Sequence, residues 1–449
     1  MFSNVLFRSS LSVLFLCGTA VTQLSPNSSS ADSSSALITE AKVQSQIRLL
    51  TVEKIPEFVE KAIGEDIEAQ CVLGVAYADG ITVTHDDHEG VRWLRKAAEH
   101  GVAFIQYRLA SMYRFGKGTL RNDAEAVKWY RAAADQNVPK AQGNLAYMYL
   151  QGYGVPRDYG LAVKWYQTAA EQNEPTSQGN LAYMYFHGYG VPRDYSLAAK
   201  WYRAAAEQDD ARAQENLGYL YLQGYGVDRN YESALKWYRA AAEHGQVDAQ
   251  NNVGGIYQYG LGVPIDYAEA ITWYKKAAEQ GSKIAANNLG FMFQKGLGVT
   301  QNFAEALRWY KQAASAGDAV AQANVGYMYA NGQGVARDLR EAGKWCQKSA
   351  EQGFAPAQGW LGNMYANGEG VPLDYVSSYV WLMLASNGGH EPSKKAAQYL
   401  AEIMTPKQKK EAKTLLSEKK NQLKRTTESV GGEKHLSAVF VEKETQITP

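Results

Sequence analysis

Residues 141–170 read AQGNLAYMYLQGYGVPRDYGLAVKWYQTAA, and the fold is decided there. Ala141, Leu145, Met148 and Tyr149 fall at i, i+4, i+7 and i+8, the spacing of one helical face. Tyr159, Ala162, Trp165, Tyr166 and Ala169 set a second face after Asp158, whose carboxylate suits the exposed amides of a helix start. Between them Gly152 and Gly154 permit backbone angles that other residues avoid, and Pro156 fixes the approach to the second helix. The stretch is therefore helix A, a non-helical turn, and helix B, with Trp165 expected to fill the space between layers.

Outward from it the same unit recurs without insertion. Trp93, Trp129, Trp165, Trp201, Trp237, Trp273, Trp309, Trp345 and Trp381 each stand 36 residues after the last. Glycine follows helix B at Gly101, Gly245, Gly281, Gly317 and Gly353, as expected just past a helix end. Two helices of about twelve residues cannot bury both faces alone, so each hairpin stacks on its neighbours. The expected fold is all-α: a right-handed superhelical α/α solenoid of nine 36-residue helix-turn-helix repeats with helical caps.

Asn-Leu-Gly/Ala-x-Met-Tyr, Gly-x-Gly-Val, Asp-x-x-x-Ala and Trp-Tyr-x-x-Ala-Ala at this period resemble the Sel-one-like repeat family, relatives of the tetratricopeptide repeat, over residues 66–389. The end copies depart from the pattern. The first loop reads Gly80-Ile-Thr-Val-Thr-His85-Asp-Asp-His88, and the ninth helix B contains Tyr379-Val-Trp-Leu-Met-Leu384, as capping units do. The resemblance implies a non-enzymatic scaffold for an unidentified protein or peptide. It places the family in bacterial envelopes and host interaction, and in the endoplasmic reticulum. A cysteine-rich branch associated with β-lactam binding or hydrolysis carries a disulfide in each repeat, which this chain lacks. An envelope hydrolase or binder of cell-wall or β-lactam substrates is the alternative.

The ends read differently from the array. Residues 1–20 resemble a secretory signal peptide, with Arg8, an apolar run from Leu11 to Cys17, and Gly18-x-Ala20 before Val21. Lipidation of Cys17 is the lesser reading, because Leu16 is bulky where that signal wants a small residue. Export to the bacterial envelope, secreted or periplasmic, follows, with the endoplasmic reticulum lumen as the alternative. Residues 21–47 read as a serine-rich disordered linker whose Asn27 sequon chance explains. An N-terminal capping helix is expected over 48–65 and C-terminal capping helices over 390–425, the last started by Thr405-Pro406-Lys407-Gln408 and ending near Lys424. Residues 426–449 are expected to be a disordered tail.

Little in the composition suggests chemistry. Among 449 residues, Lys+Arg 46 balance Asp+Glu 46, which disfavours nucleic acid as partner. No other run is long and apolar enough for an integral membrane span. The recurrent Gly-x-Gly-Val lacks a preceding strand and reads as a turn, not a phosphate cradle. His85 and His88 flank Asp86 and Asp87 with metal-ligand chemistry, yet read as a polar surface turn. His100, His187 and His244 read as surface residues, Cys71 and Cys346 as buried thiols. No catalytic residue, metal ligand or cofactor is assigned. The basic stretch 407–425 reads as a solvated cap whose Leu415, Leu416 and Leu423 pack on the last repeat; contact with anionic lipid is the lesser reading.

The candidate binding surface is a second stripe on helix A, which the resemblance places in a concave groove. Its first column is Asn144, Asn180, Asn216, Asn252, Asn288 and Asn324, whose amides match both donors and acceptors of a peptide backbone. Tyr147, Tyr183, Tyr219, Phe291 and Tyr327 follow as aromatic anchors. The third column varies through Gln151, His187, Gln223, Tyr259, Lys295 and Asn331, as a column that sets selectivity would. The asparagines read equally as a structural ladder between helices.

Overall fold

The computed structural model describes residues 38–429, with side chains through Leu423. The readings of the leader, Cys17, Asn27 and residues 430–449 fall outside the described residues. Among those described every regular element is a helix. Nine A/B pairs run in order: Ile67–Asp79 with Asp87–Glu99, Ala103–Phe115 with Asp123–Asp135, Pro139–Gln151 with Tyr159–Glu171, Pro175–His187 with Tyr195–Ala206, Ala211–Gln223 with Tyr231–Glu243, Val247–Tyr259 with Tyr267–Glu279, Lys283–Lys295 with Phe303–Ser315, Ala319–Asn331 with Leu339–Glu351, and Ala355–Asn367 with Tyr375–Asn387. On either side of Ala211–Gln223, helix A packs on helix B and helix B on the next helix A, as in an α/α solenoid. One compact unit takes in residues 38–220 and 224–229, and a second takes in 221–223 and 230–429.

Each helix B starts on a side-chain cap. Asp86, Asn122, Asp158, Asp194, Asn230, Asp266, Asn302, Asp338 and Asp374 all accept from a backbone N–H two or three residues on. Such a bond satisfies an amide that has no partner inside the helix. The first loop glycine ends helix A in the left-handed region, Gly152 at φ +77. The second has a different task. A Cβ on Gly154 would lie 2.3 Å from the carbonyl carbon and oxygen of Asp123, the first residue of the preceding repeat's helix B. Gly118 meets Asp87, Gly190 meets Tyr159 and Gly334 meets Phe303 in the same way. These are contacts of backbone on backbone between successive repeats.

Two further layers join the repeats. The deepest large side chain of helix B is the tyrosine after the tryptophan: Tyr166 is fully buried while Trp165 is half-buried. Trp201, Trp237 and Trp345 are likewise half-buried, each with a lysine ammonium over its ring. These four tryptophans therefore close the edge of the layer, Trp93, Trp129, Trp273, Trp309 and Trp381 are buried in it, and Tyr130, Tyr166, Tyr202, Tyr238, Tyr274 and Tyr310 fill its centre. Buried glutamines form the second layer. Gln142 Nε2 donates to the Ala134 carbonyl at 3.1 Å, in the last turn of the preceding helix B. Gln172 Nε2, past the end of the next helix B, donates to Gln142 Oε1 at 2.7 Å. The bond to the preceding carbonyl recurs from Gln70, Gln106, Gln178, Gln214, Gln250, Gln322 and Gln358. The seventh repeat has Ala286 at that position, and there Gln312 Nε2 reaches the Ala278 carbonyl at 3.1 Å. That carbonyl already accepts from the Gly281 N–H at 3.0 Å, so the side-chain bond uses its remaining lone pair.

The caps differ in extent from the sequence expectation. Residues 40–47 were expected in the disordered linker, but Glu40–Arg48 is a helix capped by Thr39, with Val43 and Ile47 in the core beside Val72 and Val75. The i, i+4 apolar pair outweighs the polar composition around it. The expected N-terminal cap over 48–65 is a 3₁₀ turn, Val52–Lys54, and a helix, Ile55–Ile63. At the other end Glu391–Ile403 is followed by Pro406–Ser429, where Gln408 Oε1 and Thr405 Oγ1 exchange the expected reciprocal capping bonds. That helix passes Lys424 and takes in residues 426–429 of the expected tail, because no glycine or proline interrupts the sequence before Gly431.

Past each helix B one residue takes the left-handed conformation, at Glu65, Gly101, Asn137, Asn173, Asp209, Gly245, Gly281, Gly317, Gly353 and Gly389. An L-residue there costs roughly 1–2 kcal/mol that glycine avoids, less glycine's greater freedom when unfolded. Asn137 and Asn173 recover part of this by accepting from Gln142 and Gln178. Asp209→Gly is therefore expected to stabilise the protein by about 0.5–1 kcal/mol and Gly281→Asp to destabilise it, as read by thermal unfolding. A lower melting temperature for Asp209→Gly would refute this account of the position.

Candidate functional site

The three helix A columns are distributed unevenly. Asn144, Asn180 and Asn252 are buried, and Asn216, Asn288 and Asn324 are half-buried. In the second unit the amides tie successive helices A together: Asn288 Nδ2 donates to Asn251 Oδ1, and Asn324 Nδ2 to Asn287 Oδ1, both at 3.0 Å. The acceptor is the residue before the column asparagine one repeat earlier. In the third and fourth repeats that place is held by Gly143 and Gly179, which have no side chain to accept. Asn180 Oδ1 is buried without a hydrogen-bond partner among the described residues.

The aromatic column is uniformly half-buried at Tyr147, Tyr183, Tyr219, Phe291 and Tyr327. In the third column Gln151, His187, Gln223 and Tyr259 are half-buried, whereas Lys295 and Asn331 are exposed. Burial raises the Tyr259 hydroxyl to about 12, and burial with Tyr189 and Tyr159 nearby raises that of Tyr183, so both are neutral hydrogen-bond donors over the physiological range. The Arg114 guanidinium lies 4.5 Å from the Tyr147 ring centroid. An aromatic column edged by a cation suits contact with a polypeptide.

The helix periodicity did not reveal the aromatic residues of the loops. Tyr153 and Tyr189, 37% exposed, lie 6.1 and 6.0 Å from Tyr147 and Tyr183, and Tyr225 lies 6.0 Å from Tyr219. The column thus continues off the helix onto the turn. The available signal was the middle residue of Gly-x-Gly, which is tyrosine only in these three repeats.

His187 is not the plain surface residue expected. Its ring lies 4.2 Å from Tyr183, stacks on Tyr189 at 5.3 Å and 13°, and meets Phe186 at 5.0 Å. Nε2 is buried with no hydrogen-bond partner among the described residues, and burial holds the imidazole below its ordinary value of 6.5. His85, by contrast, is exposed with Nε2 3.2 Å from Asp87 Oδ1, while Asp86 caps the amides of His88 and Glu89. Among the described residues no three His, Cys, Asp or Glu converge as a metal site. Cys71 and Cys346 are fully buried free thiols; burial with Glu68 and Asp66 nearby pushes Cys71 to about 12, and burial pushes Cys346 up as well. A thiol held protonated in this way is a poor nucleophile.

The His187 environment has a pH consequence. The folded-state value lies below the unfolded one, so above 6.5 both states are neutral and stability is unaffected. As pH falls through that value the unfolded chain takes up the proton first, and stability is lost. His187→Gln, which copies Gln151 and Gln223 of the flanking repeats, is expected to melt at a progressively higher temperature than the parent as pH drops from 7.5 to 5. Parallel melting curves would show that the imidazole is not confined.

The Sel1 repeat family matches the chain nine times, over residues 67–102, 105–138, 139–174, 175–210, 211–246, 247–282, 283–318, 319–354 and 355–390. A Sel1 repeat protein from Oxalobacter formigenes is 31% identical, with 77% of this chain and 98% of that one covered and a TM-score of 0.55. A protective antigen of uropathogenic Escherichia coli strains with an SLR fold is 30% identical over 89% of this chain and 98% of its own, with a TM-score of 0.46. No curated protein matches. Sel1 repeat proteins are in general non-catalytic protein–protein interaction scaffolds. With nine matched repeats on nine helix pairs, the chain belongs to the Sel1 repeat family.

Proposed function

We propose that this protein is an exported, non-enzymatic scaffold that captures a protein or peptide on the second stripe of its helices A. The observation that carries the reading is the half-buried aromatic column Tyr147, Tyr183 and Tyr219, which continues onto the exposed rings of Tyr153, Tyr189 and Tyr225. A row of this kind leaves apolar ring surface and hydroxyls at the boundary with water, where large rigid side chains bind at low entropic cost. The framework beneath is repeated, and the third column changes from Gln151 to His187 to Gln223 and Tyr259. Selectivity is set by that change.

Asn216 is a better probe than Asn288 or Asn324, because those two are already bonded to a neighbouring helix. The export reading of residues 1–20 belongs to the same proposal, since it decides which partners the chain meets. Among the described residues no helix is long and apolar enough to cross a membrane.

The experiment is a cross-linking pull-down from the native cells with the parent chain and with Asn216→Ala/Tyr219→Ala. The double variant is expected to lose at least tenfold in partner recovered at unchanged helical content, and the recovered chain to begin at Val21. Undiminished capture would remove the helix A face from consideration, and an intact leader would remove the export step.

A further inference from the structure

The loop tyrosines form more than an extension of the helix A column. Tyr189 stacks on Tyr159 at 5.3 Å and 16°, and Tyr225 stacks on Tyr195 at 4.9 Å and 18°. Phe186 lies 5.2 Å from Tyr195 and 6.3 Å from Tyr225, and His187 bridges Phe186 to Tyr189. The rings make one aromatic ridge across the third, fourth and fifth repeats, inside the first compact unit. Tyrosine between the two loop glycines is confined to these repeats. The corresponding loop residues elsewhere are Ile81, Lys117, Leu261, Leu297, Gln333 and Glu369.

A row of arginines follows the ridge. Arg121, Arg157, Arg193 and Arg229 stand at 36-residue intervals and are exposed. The guanidinium of Arg121 lies 5.6 Å from the Tyr153 centroid, that of Arg157 5.3 Å from Tyr159, and that of Arg193 5.3 Å from Tyr195. The carboxylates beside them are already engaged. Asp123 pairs with Arg121, and Asp158 and Asp194 cap their own helices. Only the fifth loop adds another, Asp228. At Arg157 and Arg193 the ridge therefore presents a cation beside its aromatic edge.

We propose that this ridge binds an acidic, proline-rich peptide in the polyproline II conformation, one turn of the peptide to each repeat. The inference rests on the tyrosine face being a recognition surface and adds the chemistry of its partner. Three physical features favour this occupant. A polyproline II turn is three residues and about 9 Å long, close to the roughly 8–10 Å between packed helix axes, so ring and carboxylate contacts recur in register. Such a peptide has no internal hydrogen bonds, and its carbonyls are free to accept from tyrosine hydroxyls and guanidinium groups. Tyr189 and Tyr225 are already stacked on Tyr159 and Tyr195, which takes from each ring a face onto which a nucleobase would stack.

The test is fluorescence anisotropy of a labelled (Pro-Pro-Glu)4 peptide titrated with the full chain at low salt. Saturable binding is expected, weakened at least tenfold by Arg157→Gln/Arg193→Gln and by Tyr189→Ser/Tyr225→Ser, and weakened by added sodium chloride. The matching (Pro-Pro-Lys)4 peptide is expected to bind at least tenfold more weakly. Absence of saturation, equal binding of the two peptides, or unchanged affinity in both loop variants would overturn the proposal. Displacement by oligothymidylate at lower concentration than by unlabelled peptide would assign the ridge to nucleic acid instead. If the peptide fails while Asn216→Ala/Tyr219→Ala still loses its native partner, the helix A reading stands and this one falls.

Discussion

The structure depends on one close approach, repeated along the chain: from the second repeat onward, the second loop glycine lies against the first peptide unit of the preceding helix B. At Gly154 the space a Cβ would need is taken by the Asp123 carbonyl. Backbone can come this near only where no side chain intervenes, and the contact fixes how far a hairpin slides or tilts against its neighbour. The other regularities are built on it. The Asp or Asn cap before helix B holds the amides just beyond the contact. The buried glutamine reaches the last turn of the preceding helix B because that helix is held at a set distance. Tyr166 and its counterparts fill what remains with the small alanines around them.

An array of this kind has no single core that closes on itself. Each repeat buries its apolar faces against its neighbours, so stability is a sum of local terms and interface terms. This explains why Ala286 is tolerated: one ladder bond is lost, and a side chain from the same repeat supplies it from another direction. It also explains why the surface is free to vary. The framework positions are consumed by seating, capping and the glutamine bonds, and the residue between the loop glycines takes part in none of these. In three adjacent repeats that position became tyrosine, and a local aromatic ridge resulted without cost to the fold.

Much of this could be read from the sequence, for a physical reason. A 36-residue period with no insertion lets every position be compared with eight others, so helix faces, the Asp158 cap and the two loop glycines are each seen many times. What was hidden lay in single residues or between elements. Helix Glu40–Arg48, nine residues long, lies outside the period beside a serine-rich tract, and only the Val43 and Ile47 pair announces it. Trp165 drew the eye as the core residue, yet the neighbouring Tyr166 is the buried one. The asparagine column illustrates the limit most clearly. Periodicity finds it, but whether the amide faces a neighbouring helix depends on the residue before it one repeat earlier, Asn251 and Asn287 in one unit and Gly143 and Gly179 in the other. His187 was likewise misplaced, because its confinement comes from Tyr189, a loop residue two positions on.

The most direct measurement compares two alanine substitutions in one loop by urea unfolding. Gly152 and Gly154 have similar positive φ, +77 and +67, so both substitutions carry the left-handed strain of roughly 1–2 kcal/mol, but a Cβ meets its nearest neighbour at 3.3 Å in the first and 2.3 Å in the second. The account predicts that Gly154→Ala loses at least twice the stability of Gly152→Ala, because the interface between repeats must open to admit the methyl group. Equal losses would mean that glycine serves only the turn, and that the repeats are not held together by this backbone contact.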